Sequence, residues 1–205
     1  MVLSKFVALA ASVLRLATLN SNQAFLPYTD AVADMLLEKS IDVLAVQESN
    51  VGIPSLAGLR RRMKRDGYNV YHQPGANDRG QVTLISKTPF QQGAPPGVCW
   101  TYPERVLAGR LYRSGMEPIL FANIYGHVQD RGSRERLIKE VAAAFHATGL
   151  QWIIIGDFNE VDSEGAVAYL QANGIANAWD TDFRVDVGPT RHPGSRTIDY
   201  AISSR

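Results

Sequence analysis

The sequence contains little that would suggest anything other than a globular protein. It has one cysteine, Cys99, in 205 residues, which excludes an internal disulfide framework and a cysteine-built zinc site. Its 21 basic and 20 acidic side chains leave a formal charge of +1, so any contact with a polyanion needs a local patch. With 45% hydrophobic and 20% charged residues and no repeats, the chain predicts one domain with a sizeable core.

The apolar runs are too short for a membrane helix, which needs about 20 residues. At the N-terminus, Lys5 and the apolar residues 6–14 have the pattern of a secretory signal. Arg15 follows at once, however, and residues 16–20 already have the composition of a core strand, so a structural extension is the alternative. We expect an extension over residues 1–14, a domain over residues 15–205, and an intracellular location, nuclear or cytoplasmic.

Short apolar segments alternate with amphipathic ones along the rest of the chain. Strand composition with polar or glycine-rich borders predicts seven strands, at residues 14–19, 43–47, 82–86, 105–113, 119–125, 152–156 and 198–203. Three helices are predicted between them: residues 30–39, one that Ser133 caps and Gly149 ends, and a shorter one between Ser163 and Gly174. There are too few helices for a parallel doubly wound fold. We therefore expect an α+β protein with two facing sheets and helices outside.

The strongest chemical feature is Gly156-Asp157-Phe158-Asn159, which directly follows an apolar strand. A buried strand that ends in a glycine turn delivers a carboxylate and an amide to one rim of a sheet. Hydrolysis of a phosphodiester needs such a pair, because the carboxylate can orient and deprotonate water while the amide holds a phosphoryl oxygen. Capping side chains in an ordinary turn are the alternative.

Polar residues also follow other predicted strands. Glu48 is a lone carboxylate at a strand end, which suits Mg²⁺, since this ion takes one or two protein carboxylates and keeps water and phosphate oxygens. Asn20 and Asn22 end the first strand, where they could orient Glu48 or form a simple turn. Asp199 lies inside an apolar strand, where an unpaired carboxylate is costly, so we expect a fixed partner for it.

Together these positions resemble the endonuclease/exonuclease/phosphatase superfamily, whose DNase I-like, four-layered α/β/β/α sandwich carries one Mg²⁺ site at its rim. Five short motifs match in the family's order: Asn20 with Asn22, Gln47-Glu48, Ile124-Tyr125, Gly156 to Asn159, and Ile198-Asp199-Tyr200. The residues after Asn159 also resemble endonuclease domains of retroelements. The inositol-phosphatase signature is missing.

The resemblance implies a role for each matched residue. Glu48 would bind the metal, Mg²⁺ or Mn²⁺, with Asn20 and Asn22 beside it.

Asp157 would align or deprotonate the attacking water, and Asn159 would bind the phosphate. Tyr125 would touch the scissile phosphate, which His127 could also approach. Asp199 would hold the last catalytic histidine of the family.

That histidine belongs to a terminal Ser-Asp-His motif, and the sequence ends at Arg205 without it. We therefore expect the last strand of the fold to be missing and the activity to be weakened or lost. A catalytically dead remnant that only binds is the alternative.

A basic cluster stands apart from these motifs. Five of the six residues from 60 to 65 are Arg or Lys, and such a cluster can follow a phosphate backbone. Leu56, Leu59 and Met63 have the spacing of a buried helix face, so the cations could instead be its solvated side.

The expected function is a Mg²⁺-dependent phosphodiester hydrolase of the endonuclease type. Its substrate would be nucleic acid, DNA in the first place. Hydrolysis of a different phosphate ester is a lesser alternative. We expect a monomer with no obligate protein partner.

Overall fold

The computed structural model describes residues 14–75, 79–161, 163–178 and 199–204. The expected N-terminal extension lies outside these residues except for Leu14, and so does Ile198 of the last predicted motif.

Within the described residues the strands form two sheets. The first has the spatial order β1 (Leu16–Asn20), β2 (Val43–Gly52), β4 (Arg79–Ser86) and β3 (Asn69–Gln73). The second has the order β5 (Phe90–Gln92), β6 (Val106–Leu111), β7 (Ile119–Tyr125), β8 (Trp152–Asp157), β10 (Asp199–Ser203) and β9 (Asn177–Ala178).

A parallel strand pair in each sheet brings strand ends to one rim. β1 and β2 are parallel and place Asn20 beside Gln47, while β7 and β8 are parallel and place Tyr125 beside Asp157. Parallel neighbours have their carboxyl ends at one edge of the sheet, so the polar residues at these ends gather there. β10 runs antiparallel to β8 and begins with Asp199 opposite Asp157.

Helices cover the outer faces of the two sheets. α1 (Thr29–Glu38) and α2 (Ile53–Arg65) lie on the first sheet, and α3 (Arg131–His146) and α4 (Gly165–Ala172) lie on the second. One apolar core fills the space between the sheets, and one lies under each helix pair. The predicted four-layered α/β/β/α sandwich is thereby confirmed. No helix in the described residues is long and apolar enough to cross a membrane.

The predicted start of α3 is wrong by three residues. Its N-cap is Asp130, and the Asp130 carboxylate accepts the Ser133 N–H at 3.0 Å. A charged acceptor at this position satisfies a free N–H of the first turn and also interacts favourably with the helix dipole. Serine is a common N-cap, but Ser133 lies inside the first turn of α3.

Three strands were not predicted. In β3 only Val70 and His72 are buried, so the strand lacks a continuous apolar run. β5 and β9 have three and two residues, which is too short for a periodic pattern. These strands form mainly because longer neighbours offer them a partner.

One buried amide joins the two sheets across the central core. Asn123 on β7 is fully buried, and its Nδ2 donates to the carbonyl oxygens of Val46 and Thr83 in the first sheet at 3.0 and 2.9 Å. Its Oδ1 accepts from Gln47 Nε2 at 2.6 Å, and Gln47 Oε1 accepts from Thr18 at 3.0 Å. The oxygen and the nitrogen of both side-chain amides, Asn123 and Gln47, therefore have hydrogen-bond partners. This makes the burial of the two side chains tolerable.

We expect Asn123→Ala to lower the free energy of unfolding by about 2–4 kcal/mol, because it leaves Gln47 Nε2 without an acceptor and removes the bonds from Asn123 to two buried carbonyls. Urea denaturation would measure this. Asn173→Ala is the matched control, since Asn173 is at the surface and donates only to Tyr169 O; it should change stability by no more than about 0.5 kcal/mol. Equal losses in both variants would contradict a special role for Asn123.

Candidate active site

Polar side chains from both sheets meet at the rim where β1, β2, β7 and β8 end. Asn20 Nδ2 donates to Glu48 Oε1 and to Asp157 Oδ2, each at 2.8 Å. Asn20 and Glu48 belong to the first sheet and Asp157 to the second. The three predicted residues therefore form one hydrogen-bonded group, although 137 positions separate Asn20 from Asp157.

Asn22 holds Asn20 in this orientation through its main chain. The Asn22 N–H donates to Asn20 Oδ1 at 2.9 Å, which directs the amide nitrogen of Asn20 toward the two carboxylates. The Asn22 side chain itself is exposed. Its role as a metal ligand stays a prediction.

Glu48 reaches the rim through an unusual backbone. The pairing of β2 with β4 shifts between Gln47 and Val51, and Glu48 and Asn50 both have φ of +48°. A residue other than glycine in this left-handed region costs on the order of 1 kcal/mol or more. Such a bulge turns a side chain out of the regular ladder, and bulges of this kind are common beside active sites.

A chain of buried hydroxyl groups supports the bulge from behind. Ser49 Oγ donates to Gly80 O at 3.0 Å and accepts from Thr83 Oγ1 at 2.9 Å. His72 Nδ1 lies 3.2 Å from Thr83 Oγ1, and burial, followed by the charge of Arg60, lowers the pKa of His72. The His72 ring fills the space beside Gly80, where a Cβ would lie 1.9 Å from the ring.

Tyr125 lies beside Glu48 at the end of β7. Burial, followed by the charge of Glu48 and then that of Asp157, raises the pKa of Tyr125. The phenol therefore stays protonated and can act as a hydrogen-bond donor.

Arg105 is a site residue that sequence motifs did not indicate. Its guanidinium carbon lies 4.7 Å from the centre of the Tyr125 ring, and its Nη1 donates to the carbonyls of Tyr125 and Gly126 at 3.1 and 3.2 Å. A cation over an aromatic face is a favourable contact. Arg105 thus holds both the ring and the backbone of Tyr125 in place.

Asp157 is the most deeply buried acid of the group, at 3% exposure. Its Oδ1 accepts the Asn159 N–H at 2.9 Å, and its Oδ2 accepts from Asn20. Burial and then the neighbouring charge of Asp199 raise the pKa of Asp157 above its usual range. A carboxylate with a raised pKa is a stronger base, which is the property a general base requires.

The Gly-Asp-Phe-Asn turn depends on its first residue. Gly156 packs so tightly on β7 that a Cβ would lie 2.1 Å from Ile124 O, so no other residue fits there. Asn159 has φ of +53°, and its Nδ2 donates to Gly126 O at 3.0 Å. The turn is therefore tied to the end of β7, beside Tyr125. Phosphate binding by Asn159 stays a prediction.

His127 is less clearly part of the site. Its ring meets the Tyr102 ring edge-on at 4.5 Å, and its carbonyl accepts from Arg134. Burial and the charge of Arg105 lower the pKa of His127, so the imidazole is neutral at pH 7. In the part of the chain that the structure describes, it makes no hydrogen bond to the Asn20, Glu48 and Asp157 group.

The donors at the rim fit a hard divalent cation. Glu48 and Asp157 offer carboxylate oxygens, and both lie against one amide of Asn20. Among the described residues there is no group of three or more His, Cys, Asp or Glu side chains that could hold a metal. Mg²⁺ needs only one or two carboxylates, because water and phosphate oxygens complete its shell.

A sequence model described as the Endonuclease/Exonuclease/phosphatase family matches residues 17–205. The chain belongs to this family. A search of curated protein sequences finds no significant match.

Three solved structures have a fold similar to that of this chain. An AP endonuclease from Archaeoglobus fulgidus matches with a TM-score of 0.69 at 15% identity, over 94% of this chain and 87% of that chain. The human Nocturnin catalytic domain matches with a TM-score of 0.70 at 15% identity, over 98% and 85%. A Bacteroides thetaiotaomicron mannosyl-6-phosphatase matches with a TM-score of 0.68 at 15% identity, over 92% and 84%. Identities this low support the common fold and leave the substrate open.

The raised pKa of Asp157 predicts how its replacement changes stability. Below about pH 4 the carboxyl is protonated in both folded and unfolded chains. As the pH rises from there to the raised pKa, only the unfolded chain releases its proton, so the stability of the parent falls. Asp157→Asn removes this loss, and its stability relative to the parent should increase across that pH range.

Urea denaturation in EDTA between pH 4 and pH 9 would measure this trend. Asp34→Asn, at an exposed position on α1, is the control for the same change of charge. A stability difference between Asp157→Asn and the parent that does not vary with pH would contradict the prediction.

Proposed function

We propose that this family member is a divalent-metal-dependent phosphodiester hydrolase that acts on nucleic acid. The observation that carries the proposal is the Asn20 amide between Glu48 and Asp157. It places a candidate metal ligand and a candidate base within one hydrogen-bonded group. Hydrolysis of a phosphodiester needs positive charge at the phosphoryl oxygens and a base at the attacking water.

The residues divide this chemistry between them. Mg²⁺, held by Glu48 with Asn20 beside it, would supply positive charge at the phosphoryl oxygens. Asp157 orients the attacking water and takes its proton, for which burial and Asp199 prepare it. The Tyr125 hydroxyl, protonated because its pKa is raised, donates to a phosphate oxygen. Asn159 offers an amide at the same turn without competing for the proton.

Nucleic acid is the preferred substrate class for two reasons. One structural neighbour is an AP endonuclease, although another is a mannosyl-6-phosphatase, so the fold alone does not decide. The residues after Asn159 also resemble endonuclease domains of retroelements, and the inositol-phosphatase signature is missing.

Cleavage of supercoiled plasmid DNA by the purified chain, with Mg²⁺ or with EDTA, tests the proposal. We expect Mg²⁺-dependent nicking that Asp157→Asn reduces by about 10²–10⁴-fold, because that factor is typical for loss of a positioned base. Asp34→Asn should keep the parent's rate. Nicking that persists in Asp157→Asn would overturn the assignment of the base, and hydrolysis of a sugar phosphate without any nicking would overturn the substrate class.

Metal binding gives a test that does not need turnover. Calorimetry should show weak binding of Mg²⁺ or Mn²⁺ that Glu48→Gln abolishes, because a neutral amide removes most of the attraction for a hard cation. Glu117→Gln is the control, since Glu117 is exposed on the loop before β7. Unchanged binding in Glu48→Gln would mean that Glu48 is structural.

A further inference from the structure

A groove with a volume of about 810 Å³ lies between the second half of α2 and the beginning of β3. Four of its eight lining residues are cations and none is an acid: Arg60, Arg61, Lys64, Arg65, Tyr68, Asn69, Val70 and Tyr71. All four cations are exposed. This groove, which we call the α2 groove, is not part of the candidate active site.

No cation of the α2 groove forms an ion pair with a described residue; the pKa of Asp30 is lowered mainly by its hydrogen bond to Arg62 and only slightly by the charge of Arg65. The nearby carboxylates of Asp30 and Asp66 both pair with Arg62, which does not line the groove. Arg60 instead donates to Val70 O and Lys64 to Asn69 Oδ1, each at 3.3 Å. These are neutral acceptors, so the positive charge remains.

Helix stability does not explain this arrangement. Cations in the last turn interact favourably with the helix dipole, and this applies to Arg62, Lys64 and Arg65. Arg60 and Arg61 lie before that turn. Arg60 is four residues from Lys64 and Arg61 is four residues from Arg65, and like charges at this spacing on a helix repel each other. The cluster costs stability unless an anion neutralises it.

A short chain segment connects the candidate active site to the α2 groove. α2 follows directly on the Glu48 bulge. Val70 and Leu44 are both level with Ile85 in the sheet, so the groove lies about 13 Å from Glu48 along the strand direction. Because β4 separates β3 from β2, the groove also lies about 10 Å away across the sheet. The combined separation is about 16 Å, over which a nucleic-acid strand has about five phosphates.

We propose that the α2 groove binds the phosphate backbone of a nucleic-acid segment outside the cleavage site. The choice of ligand rests on the proposed function, and the charge and shape of the groove rest on the structure alone. A membrane surface fits less well, because the groove is concave and membrane binding needs protruding apolar side chains beside the cations. The large exposed apolar side chains of the described residues lie elsewhere.

Binding to a fluorescent 30-base-pair DNA duplex in EDTA tests this without turnover. The variant is Arg61→Glu/Arg65→Glu. The matched control, Arg131→Glu/Arg136→Glu, makes the same charge change at exposed positions of α3. The groove variant should bind about tenfold or more weakly at low salt, and its plot of log K against log salt should be shallower by about 2, because two phosphate contacts are lost. The control should stay within about twofold.

Equal weakening in both variants would overturn the proposal, since only net charge would then matter. So would unchanged DNA binding in the groove variant, or a groove-dependent binding to phosphatidylserine vesicles without any binding to DNA. Thermal melting of the groove variant should show one cooperative transition with a Tm well above the assay temperature, which excludes misfolding as the cause.

Hydrolysis of bis(p-nitrophenyl) phosphate separates this proposal from the proposed function. This small diester cannot reach the α2 groove from the active site, so the groove variant should hydrolyse it at the parent's rate. Groove-dependent DNA binding in a chain that hydrolyses neither substrate would support the groove and contradict the catalytic proposal. If the parent hydrolyses DNA and the groove variant does so with the same KM, the catalytic proposal is supported and the proposal for the α2 groove is contradicted.

Discussion

The alignment of the two sheets depends on the amides buried between them. Apolar contacts between facing sheets are not directional, so the central core alone would not define how one sheet lies over the other. Asn123 binds two carbonyls and the Gln47 amide of the opposite sheet, and those bonds have strict geometry. A shift of an ångström between the sheets would break them, and it would also separate Asn20 from Asp157 at the rim.

The site itself is built against local preferences. Glu48 and Asn159 have positive φ, and Asp157 is an acid buried beside another acid. Each of these features costs free energy that the apolar cores must offset, as is common where function requires a fixed geometry. Ser49 and Thr83 behind the bulge and Arg105 beside Tyr125 are the contacts that maintain it. Carboxylates that would repel one another in isolation are thereby held together at the rim through the Asn20 amide.

The same reasoning connects the rim to the α2 groove. The chain is nearly neutral as a whole, so a long-range field does not attract a polyanion. A local positive patch is present on α2, where five of the six residues from 60 to 65 are Arg or Lys. If the rim acts on one phosphate, the groove offers a place for others a few nucleotides away, and a small phosphate ester would use only the rim.

The amino-acid sequence was enough to predict the fold class, the polar strand ends and the family. These depend on local patterns, namely apolar runs that end in Asp, Glu or Asn and a glycine directly before Asp157. The tertiary structure decided which groups touch. The contacts that define the site join residues that are between 20 and 137 positions apart in the sequence. They are the hydrogen bonds made by the side chains of Asn20, Asn123, Thr83 and Arg105. No local pattern encodes such pairs, because each side chain finds its partner only when strands from distant parts of the chain pack together.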